Sequence, residues 1–205
     1  MKATFTQLAV RYTANERLVQ QLWTEIETTY TQPKRHYHTL HHLEHLLAEL
    51  APVKEEIQHW DVVLFSVFYH DIVYNPLRRD NEERSAVITE NRLQSIDVPA
   101  DVIEACKAQI LCTKTHANCP TGDSNFFTDA DLAILAQDKS TYRQYAAGIR
   151  KEYGLYADNL YYPGRKTVLL HFLQMERIFK TGYFFDKYEK QARENLHWEL
   201  NNNEP

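Results

Sequence analysis

Residues 65–74 constrain the fold more than any other segment, because an apolar run ends there in an adjacent histidine and aspartate. Residues 65–69 have the composition of a buried helix, and His70 and Asp71 follow directly. A buried imidazole or carboxylate that lacks a partner costs several kcal/mol. Adjacent residues on a helix point about 100° apart. His70 and Asp71 can therefore share one metal ion only where other elements bring further ligands.

The composition favours an all-α protein. The 205 residues include only 5 Gly and 7 Pro, and apolar residues recur at helical spacing over long stretches. We therefore expect a single domain over residues 1–205, built as a bundle of about eight helices. Three cysteines without a CxxC pair predict neither a disulfide framework nor a cysteine-based zinc site.

Charge and hydropathy narrow the range of partners. The formal net charge of -5 gives no overall attraction to nucleic acid or to an anionic membrane. The chain contains no apolar run of ~18 residues and no signal-type N-terminus. We expect a cytoplasmic protein without a membrane or nucleic-acid partner, and the sequence leaves its oligomeric state open.

Helical periodicity and helix breakers divide the chain into predicted elements. Helices are predicted at residues 8–30, 35–47, 55–74, 81–94, 100–116, 129–135, 140–153, 167–179 and 184–201, with a loop at 117–126. The helix at 55–74 is the most apolar and is predicted to be central. Asp80 is a predicted N-cap, with Glu83 completing a capping box.

Histidines are concentrated near the start of the chain, where five of the ten lie between positions 36 and 45. His38 and His42 are four residues apart, a spacing that predicts one shared helix face. His116 lies at a predicted helix end, and Asp129 and Asp131 lie near the start of a later helix. Taken singly, each of these residues has a structural explanation as a surface or capping residue. Their order along an all-α chain favours a metal site.

The ordered set of His38, His70-Asp71 and Asp131 resembles the HD-domain superfamily of metal-dependent phosphohydrolases. Six segments are similar to a small bacterial subgroup of predicted HD-superfamily phosphohydrolases: Tyr37-His38-x3-His42, Phe68-Tyr69-His70-Asp71-x-Val73-Tyr74, Asp80-Asn81-Glu82-Glu83-x-Ser85-Ala86, Thr113-x2-His116, Asp129-Ala130-Asp131-Leu132 and Gly164-Arg165. The resemblance spans residues 37–196. It implies a helical HD fold, a divalent ion held by the ordered set, and hydrolysis of a phosphate ester or anhydride.

The substrate is not specified by the resemblance. The chain has no Glu-Asp directly after its His-Asp pair, as in hydrolases of guanosine tetraphosphate-type alarmones, and no Gly-Tyr-Pro signature of cyclic-dinucleotide phosphodiesterases. A nucleotide or another small phosphorylated metabolite is the expected substrate. Cations near the rim would bind its phosphate, and the candidates are Arg78, Arg79, Lys114, Arg150 and Arg165.

The candidate ligands also limit the metal. Mixed imidazole and carboxylate ligands suit Mn, Fe, Co, Ni or Zn, whereas Mg prefers oxygen-rich shells. Such an ion lowers the pKa of bound water to about 7 and polarises a phosphoryl oxygen. We expect catalytic roles for Asp71 as a ligand and for Glu82 and Glu83 as a base or as groups orienting the water. His42, His116 and Asp129 are expected to bind a second ion or to contact the ligands of the first. Asp129 is also the alternative to Asp131 as a ligand of the first ion.

Two other functions stay open from the sequence. One is a sensor that binds a nucleotide without turnover. The other is an all-α protein with a structural metal site, which would have a closed shell of four ligands and no converging basic residues. An open coordination position and a basic rim would instead favour the hydrolase.

Overall fold

The computed structural model describes residues 1–117, 119 and 121–202. These residues form ten α-helices and two short 3₁₀ helices, and no β-strand occurs in these ranges. The prediction of an all-α protein is confirmed, with somewhat more helices than expected. Within the same ranges, no helix has both the length and the apolar character needed to cross a bilayer.

The chain divides into two compact units, the first ending at Thr128 and the second beginning at Asp129. The boundary falls inside a helix, so it does not mark a linker. Compact units can belong to one domain or to two. The expected single domain over residues 1–205 therefore stays a prediction.

The first unit contains six complete helices and most of a seventh. They are α1 (Lys2–Ala9), α2 (Glu16–Tyr30), α3 (Leu40–Leu50), α4 (Trp60–Tyr69), α5 (Asn81–Gln94), α6 (Ala100–Cys112) and α7 (Gly122–Leu132), with a 3₁₀ helix at Ala51–Glu56. The single helix predicted at 8–30 is in fact the pair α1 and α2. The helix predicted at 81–94 is confirmed at both ends.

Helix α4 forms the centre of the first unit. Residues 62–69 are all buried, and α1, α3, α5 and α6 pack against this helix. The Phe68 and Phe5 rings meet edge to face, with centroids 5.2 Å apart, a geometry that adds about 0.5–1.5 kcal/mol beyond burial of area. The central position of the predicted helix is confirmed, but the helix is shorter than the predicted 55–74, since it begins at Trp60 and ends at Tyr69. Because residues 62–69 of α4 are enclosed on all sides, the position of its C-terminal end is fixed. The positions of His70 and Asp71, which follow directly, are fixed with it.

The connection between α6 and α7 lies earlier in the chain than the loop predicted at 117–126, since α6 ends at Cys112 and α7 begins at Gly122. Asn118 and Pro120 lie outside the described residues. Cys112 and Cys119 form a disulfide with Cα atoms 6.3 Å apart, so the prediction of no disulfide is wrong for this pair. The third cysteine, Cys106, is buried and free, and burial raises its pKa to about 12.

The second unit contains the end of α7 and the rest of the chain. Its further elements are a 3₁₀ helix at Ala133–Ala136, α8 (Lys139–Glu152), α9 (Asp158–Gln174) and α10 (Gly182–Asn202). Asn195 on α10 donates to the carbonyl oxygens of Leu135 at 2.9 Å and Gln137 at 2.8 Å. These bonds attach α10 to the 3₁₀ helix. The helix predicted at 167–179 begins earlier, and Pro163 lies inside it.

Candidate metal centre

His70 and Asp71 lie in a turn at the end of α4. His70 is only 2 % exposed, and its backbone N–H donates to the carbonyl of Ser66 at 2.9 Å, the last helical bond. The backbone N–H of Asp71 donates to the hydroxyl of Tyr30 at 3.2 Å. The apolar helix therefore ends in a turn that carries a buried histidine and a half-buried carboxylate.

The hydrogen bonds of His70 fix which of its ring nitrogens carries a proton. Nδ1 lies 3.0 Å from the carbonyl oxygen of Val67, and a carbonyl can only accept, so Nδ1 donates. In a neutral ring the lone pair is then on Nε2. That atom lies 3.1 Å from Oδ2 of Asp71. Histidines that bind metals commonly donate their second N–H to a backbone carbonyl in this way.

His42 and His38 approach the same carboxylate from α3 and from the loop before it. Nε2 of His42 lies 3.1 Å from Nε2 of His70 and 3.7 Å from Oδ2 of Asp71. Nε2 of His38 lies 3.8 Å from that same oxygen. The predicted common helix face for His38 and His42 is wrong, because α3 begins only at Leu40. The rings nevertheless meet, with centroids 5.7 Å apart.

These four side chains form the His/Asp cluster: His38, His42, His70 and Asp71. Burial by itself would raise the pKa of Asp71, but three surrounding imidazoles, led by that of His70, hold it well below its ordinary value. An ionised Asp71 facing the Nε2 lone pair of His70 is repulsive unless a proton or a cation lies between them. His42 and His70 are both buried, and their nitrogens lie close enough to share one ion. The donor set therefore fits a divalent cation.

The turn after the cluster is held by two polar residues of α5. Val73 donates its N–H to the hydroxyl of Ser85 at 3.1 Å, and Ser85 is fully buried. Asn81 bonds both the N–H and the carbonyl of Asn75, at 3.1 and 3.0 Å. Both residues belong to the segment at 80–86 that resembles the HD-domain subgroup. No role was predicted for either of them from the sequence. Spacing alone could not show that their side chains reach back to the turn.

Glu82 and Glu83 begin α5 and have opposite environments. Burial raises the pKa of the half-buried Glu82, and the negative charge of Asp71 raises it further. The exposed Glu83 instead bonds Lys114, which lowers its pKa. Of the two predicted catalytic glutamates, Glu82 is therefore the better proton carrier near the cluster. Glu83 is engaged in an ion pair.

The capping box predicted at the start of α5 is wrong. Asp80 precedes the helix as expected, but its carboxylate makes no capping hydrogen bond. It accepts from Arg78 at 2.7 and 2.8 Å and from Arg84 at 2.9 Å. Arg78, a predicted substrate ligand, is thus paired with a neighbouring acid on the surface.

Lys114 and Arg79 are the other two residues of the first unit that the sequence predicts to bind the substrate phosphate. Lys114 donates to the carbonyl of Arg79 at 3.0 Å and pairs with Glu83. Its charge also acts on Glu82. Both cations are exposed, so a ligand could approach them from solvent. Their role in substrate binding stays a prediction.

Arg165 and Arg150 are both engaged within the second unit. Arg165 is 8 % exposed and donates to the two carboxylate oxygens of Glu199 at 2.8 and 2.9 Å. Arg150 donates to the carbonyls of Tyr153 and Tyr156, both at 3.0 Å. Gly164 and Arg165, which precede the helix predicted at 167–179, are part of α9 instead. These contacts favour structural roles over the predicted binding of substrate.

Asp129 and Asp131 lie in the second half of α7, not at a helix start. Asp129 is fully buried and accepts bonds from the backbone N–H groups of Lys180 and Thr181 at 2.8–3.0 Å. Those bonds fix the chain just before α10 and give Asp129 a structural role, while its predicted place at the metal site stays a prediction. Asp131 lies in the last turn of α7 and acts electrostatically on Lys180. Its assignment as a ligand stays a prediction.

His116 follows α6 in a left-handed backbone conformation with φ 50°. Such a conformation is uncommon outside glycine, asparagine, aspartate and histidine. The backbone N–H of His116 donates to the carbonyl of Cys112 at 3.0 Å, and the disulfide from Cys112 encloses this loop. The predicted role of His116 at a second ion stays a prediction.

Comparison of the chain with protein-family models, with curated proteins and with solved structures finds no match in any of the three.

Proposed function

We propose that the His/Asp cluster binds one divalent transition-metal ion and that the protein hydrolyses a phosphate ester or anhydride there. The observation that carries the metal proposal is the contact of His70 Nε2 with Asp71 Oδ2 at 3.1 Å. With Nδ1 donating to Val67, a neutral His70 ring presents its Nε2 lone pair to this carboxylate, so that both facing atoms are acceptors. A shared cation turns this repulsion into attraction.

The choice of metal follows from the donors. Three imidazole nitrogens and one carboxylate oxygen suit Zn, Co, Ni, Fe or Mn better than Mg, which prefers oxygen ligands. Two nitrogens bonded to one ion at roughly 2.0–2.1 Å lie about 3 Å apart. The separation of 3.1 Å between the Nε2 atoms of His42 and His70 agrees with that.

The hydrolase part of the proposal is supported by the resemblance to HD-domain phosphohydrolases and by the residues next to the cluster. When bound, the ion would lower the pKa of a water ligand to about 7 and polarise a phosphoryl oxygen. Glu82, whose pKa is raised, can take a proton from the attacking water and return it to the leaving oxygen. Lys114, whose charge acts on Glu82, supplies a positive charge for an anionic substrate.

A structural metal site is the second candidate. The cluster brings four protein donors together, and four is the number typical of closed structural zinc sites. In that case the ion would stabilise the fold and would not act on a substrate. Metal binding without turnover is the expected result of this alternative.

The test combines metal analysis with a phosphate-release screen. Purified protein is stripped with a chelator, reloaded with Mn, Co, Ni, Zn or Mg, and assayed on nucleotides and small phosphorylated metabolites. The hydrolase proposal expects metal-dependent release of phosphate that Asp71→Asn abolishes and His41→Gln leaves unchanged. His41 is the matched control, because it lies on α3 beside His42 with its side chain 89 % exposed. Stoichiometric metal with no release from any substrate would favour the structural site, and an absence of bound metal would exclude both.

A further inference from the structure

Arg35 links the two chain segments that carry the His/Asp cluster. It lies in the loop between α2 and α3, and only 7 % of it is exposed. Nη1 donates to the carbonyl of His38 at 3.2 Å, and Nη2 donates to the carbonyl of Ile72 at 3.2 Å. One guanidinium therefore ties the loop that carries His38 to the turn that carries Asp71.

Two tyrosines extend this link to the ligands themselves. The guanidinium carbon lies 4.7 Å from the ring centroid of Tyr30 and 5.7 Å from that of Tyr74. The Tyr74 ring packs on the His38 ring, with centroids 4.0 Å apart at 31°. The Tyr30 hydroxyl accepts the backbone N–H of Asp71 at 3.2 Å. Both rings that contact Arg35 thus contact a residue of the cluster as well.

We propose that Arg35 is a positioning residue that holds His38 and Asp71 in register and thereby sets the affinity and coordination geometry of the ion. This inference rests on the metal site proposed above. The described partners of Arg35 are neutral carbonyls and ring faces, so they add no carboxylate that would compete for the metal. A lysine has one ammonium group and no planar fork, so it cannot bond both carbonyls and stack between both rings.

The test uses Co²⁺ as a spectroscopic probe. Wild type, Arg35→Met and Arg35→Lys are titrated with Co²⁺ while the visible absorption of the bound ion is recorded, and thermal unfolding of each metal-free protein is measured separately. We expect both variants to bind Co²⁺ about 10–100-fold more weakly. This is the typical loss of metal affinity when a residue that orients a metal ligand is replaced. We also expect altered absorption bands, because the position of His38 is no longer fixed.

Arg193→Met is the matched control. Arg193 also donates to backbone carbonyls, those of Leu173, Met175 and Glu176 at the end of α9 and just after it. It lies within the second unit, where it also pairs with Glu189. Its loss is expected to lower the melting temperature while leaving the Co²⁺ affinity and spectrum unchanged. If Arg35→Met folds too poorly to titrate, Arg35→Lys and Tyr74→Leu test the same contacts of Arg35 with Tyr74 and of Tyr74 with His38.

The outcomes separate this inference from the proposed function. Wild-type binding of Co²⁺ with unchanged affinity and spectrum in the Arg35 and Tyr74 variants would overturn the role of Arg35 and leave the metal site standing. A wild type that binds no Co²⁺ would overturn both. A lowered melting temperature without any change in Co²⁺ binding would make Arg35 a purely structural residue.

Discussion

The Nε2 atoms of His42 and His70 lie 3.1 Å apart in the buried interior of the first unit. Two protonated imidazoles cannot face each other at this distance without strong repulsion, so at least one ring is neutral there. A neutral ring offers a lone pair, and the cluster also contains an ionised carboxylate.

Replacing His42 by glutamine is expected to weaken divalent-metal binding by at least about tenfold, because loss of a ligand costs more than loss of a residue behind it. Isothermal titration with Co²⁺ or Zn²⁺ measures the effect. His41→Gln, an exposed neighbour on α3, provides the comparison and is expected to bind as wild type does. Equal affinities in the two variants would remove His42 from the metal centre.

Removal of the metal is expected to lower the stability of the wild type. A ligand that binds only the folded state at 100 times its Kd stabilises by about 2.7 kcal/mol. Thermal unfolding with and without added metal should therefore differ for the wild type and coincide for Asp71→Asn. Asp80→Asn, which changes an exposed aspartate paired with Arg78, should keep the full metal response. The same metal-induced shift in Asp71→Asn would contradict the proposed ligand set.

Glu82→Gln is expected to stabilise the metal-free protein at pH 7 while lowering any hydrolytic activity. The folded-state pKa of Glu82 is raised, so keeping this group ionised in the fold costs free energy above that pKa. The gain from the amide should disappear as the pH falls below about 4, where the carboxyl is protonated in both the folded and unfolded states. Urea unfolding at a series of pH values measures it.

Glu83→Gln is the control for that measurement, because the pKa shift of Glu83 has the opposite sign. Its replacement should give no gain in stability at pH 7. Identical pH profiles for the two variants would show that Glu82 has no special environment.

Arg165→Met is expected to lower the free energy of unfolding by about 3–5 kcal/mol, because it removes the guanidinium that neutralises the buried carboxylate of Glu199. The Glu199 side chain is only 2 % exposed, so water cannot replace the guanidinium. Chemical unfolding measures the loss, and the double variant with Glu199→Leu should recover part of it. Wild-type stability together with a raised Michaelis constant would instead support the substrate role predicted from the sequence.

The sequence was informative where local chemistry decides structure. Helix α5 was predicted from Asn81 to Gln94 because turn residues precede it and its apolar positions are periodic. The burial of His70 followed from the apolar run before it. In both cases the decisive residues are neighbours in the chain.

The sequence was misleading where distant partners decide. Pro163 and Gly164 precede the helix predicted at 167–179, yet α9 runs through them. The partner of Arg165 is Glu199, 34 residues away, and no local pattern shows that pairing. The side chain of His38 likewise reaches the cluster from a loop that helical periodicity cannot describe. The contacts of Arg35 could not be predicted either, because its hydrogen-bond partners are backbone carbonyls, which no sequence pattern identifies.

The uniform burial of α4 also determines where this protein could be re-engineered. Substitutions within residues 62–69 would disturb packing on several sides at once, because every side chain there is enclosed. The loop that follows the cluster is different: Leu77 is 57 % exposed and Arg79 is exposed as well. A library aimed at new ligand preferences should therefore leave the central helix intact and diversify residues 76–79, where sequence change costs the fold little.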